Sequence, residues 1–173
     1  MDFKNALLIL ALCLGANWGI AQNAIPDTEV KTLDGQTINI REFAENGKIT
    51  VLSFWATWCS PCKKELDAIA DLYPEWQETY DMELVAITID TRRELGKVRP
   101  MVESKGWEYT ILSDENQQLM NALNFQTVPQ TFLLDRQGNI VYAHSGYVPG
   151  DEYELEAKMK AIDQAPAAEG DQH

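Results

Sequence analysis

The feature that most constrains the fold is a pair of cysteines placed between a strand and a helix. Residues 49–56 form an almost continuous apolar run rich in β-branched and aromatic residues, which is typical of a buried strand. Helical periodicity follows over residues 60–80, with Pro61 in the first turn, where proline is tolerated. Cys59 and Cys62 therefore lie where the strand ends and the helix begins.

The position of the two thiols predicts redox chemistry. Free backbone N–H groups and the positive end of the helix dipole stabilise an anionic sulfur, so they favour the thiolate of Cys59. We predict that Cys59 is the exposed attacking thiolate and that Cys62, one turn inside the helix, resolves the mixed disulfide. Trp58 is expected to shape the rim of this site without reacting.

Two other uses of the cysteine pair are open on the residues alone: an inert structural disulfide and half of a zinc site. A zinc site normally takes four ligands, whereas the chain has three cysteines and two histidines and no second closely spaced pair. We therefore predict a redox-active Cys59–Cys62 disulfide, with no metal and no bound cofactor.

The rest of the chain alternates between predicted strands and helices. The extended segments are a hairpin over residues 30–40, strands over 49–56, 82–90 and 109–112, and a second hairpin over 131–135 and 139–144. The helices cover residues 40–46, 60–80, 92–105, 114–123 and 151–162. This alternation predicts an α/β fold with a mixed central β-sheet flanked by helices and an N-terminal β-hairpin.

Three residues are expected to shape the helices locally. Pro74 is predicted to break or kink the helix over residues 60–80, and Pro100 to make the helix over residues 92–105 irregular. Asp114 is predicted to cap the amino end of the helix that follows it.

Residues 1–21 have the features of a secretory signal peptide. The apolar stretch over residues 6–16 is shorter than the roughly 20 residues needed to cross a bilayer. Small residues at Gly19 and Ala21 suit cleavage after Ala21. We predict a periplasmic or otherwise exported protein, with anchoring to the membrane by an uncleaved N-terminus as the alternative.

Cleavage leaves a chain with two cysteines. It removes Cys13 and retains Cys59 and Cys62 in a compartment where disulfides persist. Residues 22–165 are predicted to form one domain, and residues 166–173 a flexible polar tail.

The charge balance excludes several kinds of partner. Fourteen Lys and Arg residues against 27 Asp and Glu residues give a formal net charge of −13. Such a chain is repelled by nucleic acid and by anionic membrane surfaces, so neither is expected as a partner. The length of 173 residues predicts a single domain, which we expect to be monomeric.

Two segments carry a family resemblance: SFWATWCSPCKKE at residues 53–65 and TVPQTFLLDRQG at residues 127–138. Their order and spacing resemble the thioredoxin superfamily, and within it the exported proteins of the TlpA/ResA type. The resemblance implies a thioredoxin-like fold and thiol–disulfide exchange. It also implies that Pro129 is a cis-proline beside the disulfide, and that the backbone of Val128 pairs with an extended substrate segment.

The resemblance implies partners as well. The expected substrates are protein thiols and disulfides, with the protein acting as a reductase of apocytochrome c or of other exported thiols. The expected electron donor is a membrane thiol transporter.

An acid lies three residues after Cys62 on the predicted helix. Thioredoxin has a buried aspartate on the strand before its motif, and this sequence has Ser53 there. Glu65 and Cys62 lie on neighbouring parts of one helix face, so we predict that Glu65, partly buried, exchanges protons with the resolving thiol. Burial and like-charge repulsion would raise the pKa of Glu65. The alternative is an exposed glutamate without a role.

The sequence alone leaves two other functions open. A thiol peroxidase of the alkyl hydroperoxide reductase group would use a T-x-x-C motif here, and the sequence supplies Thr57 only two residues before Cys59 and without the proline-rich surroundings. A copper-binding module would need a histidine beside the cysteine pair, and His144 is the available one, although it is expected to be solvated at a strand end. The C-x-x-C pair favours thiol–disulfide exchange.

Overall fold

Seven strands form one mixed sheet within residues 24–165, the part of the chain that the computed structural model describes. The strands are β1 (Glu29–Thr32), β2 (Thr37–Asn39), β3 (Ile49–Trp55), β4 (Met82–Thr88), β5 (Thr110–Ser113), β6 (Gln130–Leu134) and β7 (Ile140–Ser145). Their order in the sheet is β2-β1-β5-β4-β3-β6-β7. β3, β4 and β5 are parallel, and the remaining pairings are antiparallel. The predicted mixed sheet with an N-terminal hairpin is confirmed.

Five α-helices in this part of the chain flank the sheet. They are α1 (Arg41–Ala44), α2 (Ser60–Tyr80), α3 (Val98–Lys105), α4 (Gln118–Ala122) and α5 (Asp151–Asp163). No helix in the described range is long and apolar enough to cross a membrane. The predicted signal peptide over residues 1–21 and the predicted tail over residues 166–173 lie outside the described residues.

The apolar run of β3 explains its central place. All seven residues of β3 are buried, and the strand is paired on one side with β4 and on the other with β6. A strand that is covered on both faces needs apolar side chains throughout rather than in alternation. The turn that carries the cysteines therefore begins at the centre of the sheet.

The predicted break at Pro74 is wrong. α2 is helical from Ser60 to Tyr80 and buries residues on both sides of the proline, including Tyr73 and Trp76. A proline in a helix interior loses one hydrogen bond and crowds the preceding turn. Here the packing of the flanking aromatic side chains against the core keeps the helix continuous.

Two helices begin later than predicted. α3 begins at Val98, after a 3₁₀ turn over Leu95–Lys97, so Pro100 lies in its first turn, where the missing amide has no intrahelical partner to lose. α4 begins at Gln118 rather than directly after Asp114. The Asp114 carboxylate still accepts hydrogen bonds from the first turns of α4, from the amides of Gln118 at 2.8 Å and Met120 at 2.9 Å.

The pairing of β3 with β6 brings the second family-like segment to the cysteines. Phe54 lies opposite Gln130 in this antiparallel pair. Because β6 begins at the end of the sheet where β3 finishes, Pro129 lies at the same edge as the turn that leads to Cys59.

A side chain at Gly138, in the turn between β6 and β7, is expected to clash with a neighbouring backbone segment. Gly138 has a φ of +79°, and a Cβ at this position would lie 2.4 Å from the carbonyl oxygen of Ala44. We expect Gly138→Ala to lower the free energy of unfolding by roughly 3 kcal/mol, from backbone strain plus overpacking. The measurement is urea unfolding of the disulfide form.

Gly35 provides the matched control. Its φ is +83°, but a Cβ there would meet nothing within 4 Å. Gly35→Ala is expected to cost about 1 kcal/mol, from the left-handed conformation alone. Equal losses in the two variants would show that the contact with Ala44 is not the constraint.

Candidate active site

Cys59 and Cys62 form a disulfide at the amino end of α2. Cys59 is the residue that caps the helix, and its sulfur accepts a hydrogen bond from the amide of Cys62 at 3.3 Å. Pro61 occupies the second position of the helix, where it costs no hydrogen bond. The amide of Cys62 and the positive end of the helix dipole are therefore placed to stabilise a thiolate at Cys59.

Both cysteines are nearly or fully buried in the disulfide form. The expectation that Cys59 is exposed is wrong for the disulfide form: Cys59 is 4% exposed and Cys62 0%. The reason is that the sulfur of Cys59 is bonded to a residue inside the core. Trp58, the preceding residue, is 61% exposed and lies at the rim, as predicted.

Asp90, which the sequence reasoning missed, fixes the turn before Cys59. It follows β4 and is completely buried. Its carboxylate accepts hydrogen bonds from the amide and the hydroxyl of Thr57 at 2.8 and 2.9 Å, and from the hydroxyl of Thr88 at 2.7 Å. The available signal was an acid directly after a buried strand parallel to β3, since the carboxyl ends of parallel strands meet at one edge of a sheet.

A lysine holds the other side of the same turn. The Nζ atom of Lys63 donates a hydrogen bond to the carbonyl oxygen of Thr57 at 2.9 Å. The turn is thus attached both to β4, through Asp90, and to the first turn of α2, which limits the positions that Cys59 can take.

Glu65 lies inside the protein. It is 5% exposed, so the alternative of an exposed helix glutamate is wrong. One carboxylate oxygen accepts a hydrogen bond from the hydroxyl of Thr131 at 2.6 Å. The hydroxyl of Ser53 lies next to the carboxyl without forming a hydrogen bond of normal geometry to it.

The surroundings of Glu65 change its acidity. Burial raises the pKa of Glu65 from its ordinary value of 4.5 to about 7, and the hydrogen bond from Thr131 opposes this only in part. Glu65 is three residues after Cys62 on α2, so the two side chains lie on neighbouring parts of one helix face. A carboxyl with this pKa can gain or lose a proton near neutral pH.

The peptide bond between Val128 and Pro129 is cis, as predicted. Pro129 is buried, and its carbonyl oxygen accepts a hydrogen bond from the amide of Gly146 at 2.9 Å. Val128 is half-buried at the same edge of the sheet.

His144 is not the solvated side chain that the sequence suggested. It is half-buried on β7, and its Nε2 atom lies 3.1 Å from a carboxylate oxygen of Asp151. Its ring stacks on that of Tyr142, with centroids 6.2 Å apart. Within residues 24–165, no group of three His, Cys, Asp or Glu side chains is arranged to hold a metal ion.

The raised pKa of Glu65 predicts a pH-dependent stability. Between pH 4.5 and about 7 the folded protein holds a proton on Glu65 that the unfolded chain has released, so stability falls as the pH rises through this range. The full difference corresponds to roughly 3 kcal/mol. We expect Glu65→Gln to remove this component, and urea unfolding of the disulfide form at a series of pH values measures it. Parallel pH profiles for the two proteins would contradict the expectation.

The hydrogen bonds to Asp90 predict a second effect. In Asp90→Asn, an amide nitrogen replaces one acceptor oxygen and cannot accept from Thr57 or Thr88. We expect a loss of roughly 1–3 kcal/mol in the free energy of unfolding. Asp81→Asn is the control, because the side chain of Asp81 is 71% exposed and is expected to change stability by less than about 0.5 kcal/mol. Equal effects of the two substitutions would rule out an anchoring role for Asp90.

Comparison with known proteins identifies the family. A sequence profile of the AhpC/TSA family matches residues 21–143. The thiol–disulfide oxidoreductase ResA of Bacillus thuringiensis (strain Al Hakam) is 30% identical over 137 residues, which cover 79% of this chain and 75% of that protein. ResA of Geobacillus thermodenitrificans (strain NG80-2) is 30% identical over 144 residues, which cover 78% of this chain and 80% of that protein.

Solved structures agree with the sequence relatives. A thioredoxin-like protein from Porphyromonas gingivalis is 35% identical, with a TM-score of 0.74, and the match covers 83% of this chain and 94% of that one. StoA from Bacillus subtilis is 25% identical, with a TM-score of 0.61, and the match covers 77% of this chain and 98% of that one. The matched family, the relatives and the fold together show that the chain belongs to the AhpC/TSA family of thioredoxin-like proteins and is a thiol–disulfide oxidoreductase.

Proposed function

We propose that the protein reduces disulfides in other proteins outside the cytoplasm, with Cys59 as the nucleophile and Cys62 as the resolving thiol. The observation that carries this proposal is the Cys59–Cys62 disulfide at the amino end of α2, with Cys62 fully buried. A substrate sulfur reaches Cys59 more readily than Cys62, and the helix amides favour the thiolate of Cys59.

The reaction takes place in two exchanges. The thiolate of Cys59 attacks one sulfur of the substrate disulfide, which forms a mixed disulfide and releases a substrate thiolate that takes up a proton. Cys62 gives its proton to Glu65 and attacks the sulfur of Cys59, which releases the second substrate thiolate and closes the Cys59–Cys62 disulfide. Two electrons have then passed from the protein to the substrate.

The environment of Cys62 supports the reducing direction. A dithiol is a strong oxidant when its reduced form is stabilised, for example by groups that favour the thiolate. Here Cys62 is excluded from water and has a carboxyl group near it on the same helix, and both features disfavour its thiolate. The disulfide form is therefore the more stable one, which makes the dithiol a reductant.

Two groups at the edge of the sheet suit a protein substrate. Trp58 presents an exposed indole directly before Cys59. Within the part of the chain that the structure describes, the amide and the carbonyl of Val128 form no backbone hydrogen bond. An extended substrate segment can therefore add to the backbone of Val128 as a short strand, next to Pro129, which has no N–H to offer.

The physiological partners follow from the family resemblance and from residues 1–21. We propose apocytochrome c or other exported thiol proteins as substrates, and a membrane thiol transporter as the electron donor. The signal-like features of residues 1–21 support export, and N-terminal sequencing of the protein from the cell envelope is expected to begin at Gln22.

The two other functions have less support. The hydroxyl of Thr57, which a peroxidase site would use, donates its hydrogen bond to Asp90. His144, which a copper site would use, bonds to Asp151. Consumption of peroxide by the reduced protein faster than its reduction of insulin disulfides would favour the peroxidase.

The proposed roles of the two cysteines can be tested by trapping. Cys62→Ser is expected to accumulate a mixed disulfide between Cys59 and a substrate, because the resolving thiol is missing, whereas Cys59→Ser is expected to form none. Electrophoresis without reductant, followed by mass spectrometry of the trapped species, measures this. Alkylation of the reduced wild-type protein at mildly acidic pH is expected to label Cys59 first, and preferential labelling of Cys62 would reverse the assignment.

The direction of electron flow is tested by the reduction potential. We expect a value nearer to that of thioredoxin, about −270 mV, than to that of the oxidant DsbA, about −120 mV. Equilibration with glutathione or dithiothreitol redox buffers measures it. Glu65→Gln is expected to shift the potential upward, because the variant has no carboxylate to oppose the thiolate of Cys62.

A further inference from the structure

The second carboxylate oxygen of Glu65 lacks a hydrogen-bond partner among the residues that the structure describes and lies beside a small cavity with a mixed polar and apolar lining. This Oε2 atom is buried. The cavity lies between α2, β6, β7 and α5, and its lining includes Thr131, His144 and Tyr147. The cavity offers about 10 Å³ to the centre of a water molecule. That is the lower limit for holding one water, which needs on the order of 10–15 Å³ and two to four polar partners.

The sheet register brings His144 to the same cavity. Thr131, which donates to the other oxygen of Glu65, lies directly opposite His144 in the antiparallel pair of β6 and β7. Directly opposed residues project from the same face of a sheet, so His144 and Glu65 meet the cavity from two sides. The Nε2 atom of the imidazole lies 3.1 Å from a carboxylate oxygen of Asp151, which also lines the cavity.

The His144–Asp151 pair connects this cavity with solvent. The side chain of Glu65 is nearly fully buried, whereas those of His144 and Asp151 are 31% and 20% exposed. An imidazole can accept a proton at one ring nitrogen while it releases a proton from the other. Both members of the pair line the cavity and both are partly exposed, so the pair extends from the cavity beside the buried acid to the surface.

The tyrosines near the cavity are poor proton carriers. Burial raises the pKa of Tyr142 and of Tyr147 to about 12, so both stay protonated near neutral pH. Burial also raises the pKa of Tyr109, whose hydroxyl donates to the carbonyl of Leu66. Glu152 accepts a hydrogen bond from Tyr147 and lies at the start of α5.

We propose that Glu65 exchanges its proton with solvent through one water in this cavity and through the His144–Asp151 pair. His144 is then a proton-relay residue, and Asp151 orients its ring. The use of this proton in disulfide exchange rests on the proposed function, but the route itself does not.

The proton balance of a catalytic cycle follows from this route. When the thiolate of an electron donor attacks Cys59, Cys62 leaves as a thiolate and takes the proton of Glu65. The water then gives a proton to Glu65. His144 gives a proton to the water, and solvent returns a proton to His144. When Cys62 later attacks Cys59 in a mixed disulfide, each transfer runs in reverse, so no proton is gained or lost over the cycle by these groups.

The test measures the proton on Glu65 directly. The full-chain protein in its disulfide form is subjected to a rapid pH jump across pH 7, and time-resolved infrared spectroscopy follows the carbonyl band of the protonated carboxyl. The band is assigned to Glu65 by its loss in Glu65→Gln. We expect the band to respond at least about tenfold more slowly in His144→Ala than in the wild type. Added imidazole is expected to restore the rate, because it can occupy the space and carry the proton.

Two further variants separate relay from structure. His144→Gln can still hydrogen-bond to Asp151 but cannot carry a proton, so we expect the same slow response even if His144→Ala is poorly folded. Tyr147 lines the same cavity, but its hydroxyl donates to Glu152. Tyr147→Phe is therefore expected to retain the wild-type rate.

Three results would overturn the proposal. They are a wild-type response in both His144 variants, a slow response of His144→Ala that imidazole leaves unchanged, and the absence of a Glu65 band in the wild type. The wild type could show this band and the expected rates and still fail to reduce protein disulfides. That result would contradict the proposed function and leave the proton route intact.

Discussion

Three hydrogen bonds to the buried carboxylate of Asp90 fix the geometry on which the active site depends. They join the turn after β3 to the end of the neighbouring strand β4, through Thr57 and Thr88. Because this turn is held, α2 starts at a defined point and Cys59 becomes its capping residue. A buried carboxylate without these donors would be unstable, so the site and this part of the fold stabilise each other.

The sequence predicted the elements that depend on neighbouring residues or on a periodic pattern of apolar residues. The continuous apolar run of β3 and the proline at the start of α2 are examples. The prediction failed where packing between distant parts of the chain determines the structure. α2 continues through Pro74 because aromatic side chains on both sides of the proline are buried. The cysteine pair and Glu65 could be predicted because they share one helix, whereas Asp90 and His144 reach the site through strand pairing that spacing along the chain does not reveal.

Glu65 shows how the protein accepts a local cost at its functional site. A carboxyl that is 5% exposed, with one oxygen that has no hydrogen-bond partner among the described residues, is less favourable than an apolar side chain of similar size. The same burial brings its pKa to about 7, where a proton can move in either direction. Such a group suits a thiol–disulfide oxidoreductase, because the proposed exchange at Cys62 requires a proton to be removed or returned.

The exposed indole of Trp58 has a consequence for how long substrates stay bound. It is the one large apolar side chain exposed directly beside the disulfide among the described residues, and its burial by a partner contributes roughly 2–3 kcal/mol. So small a contribution makes the contact through this side chain weak, and in the proposed mechanism the covalent bond to Cys59 holds the substrate in place. If Cys62 breaks that bond as proposed, the indole alone does little to delay the release of the substrate.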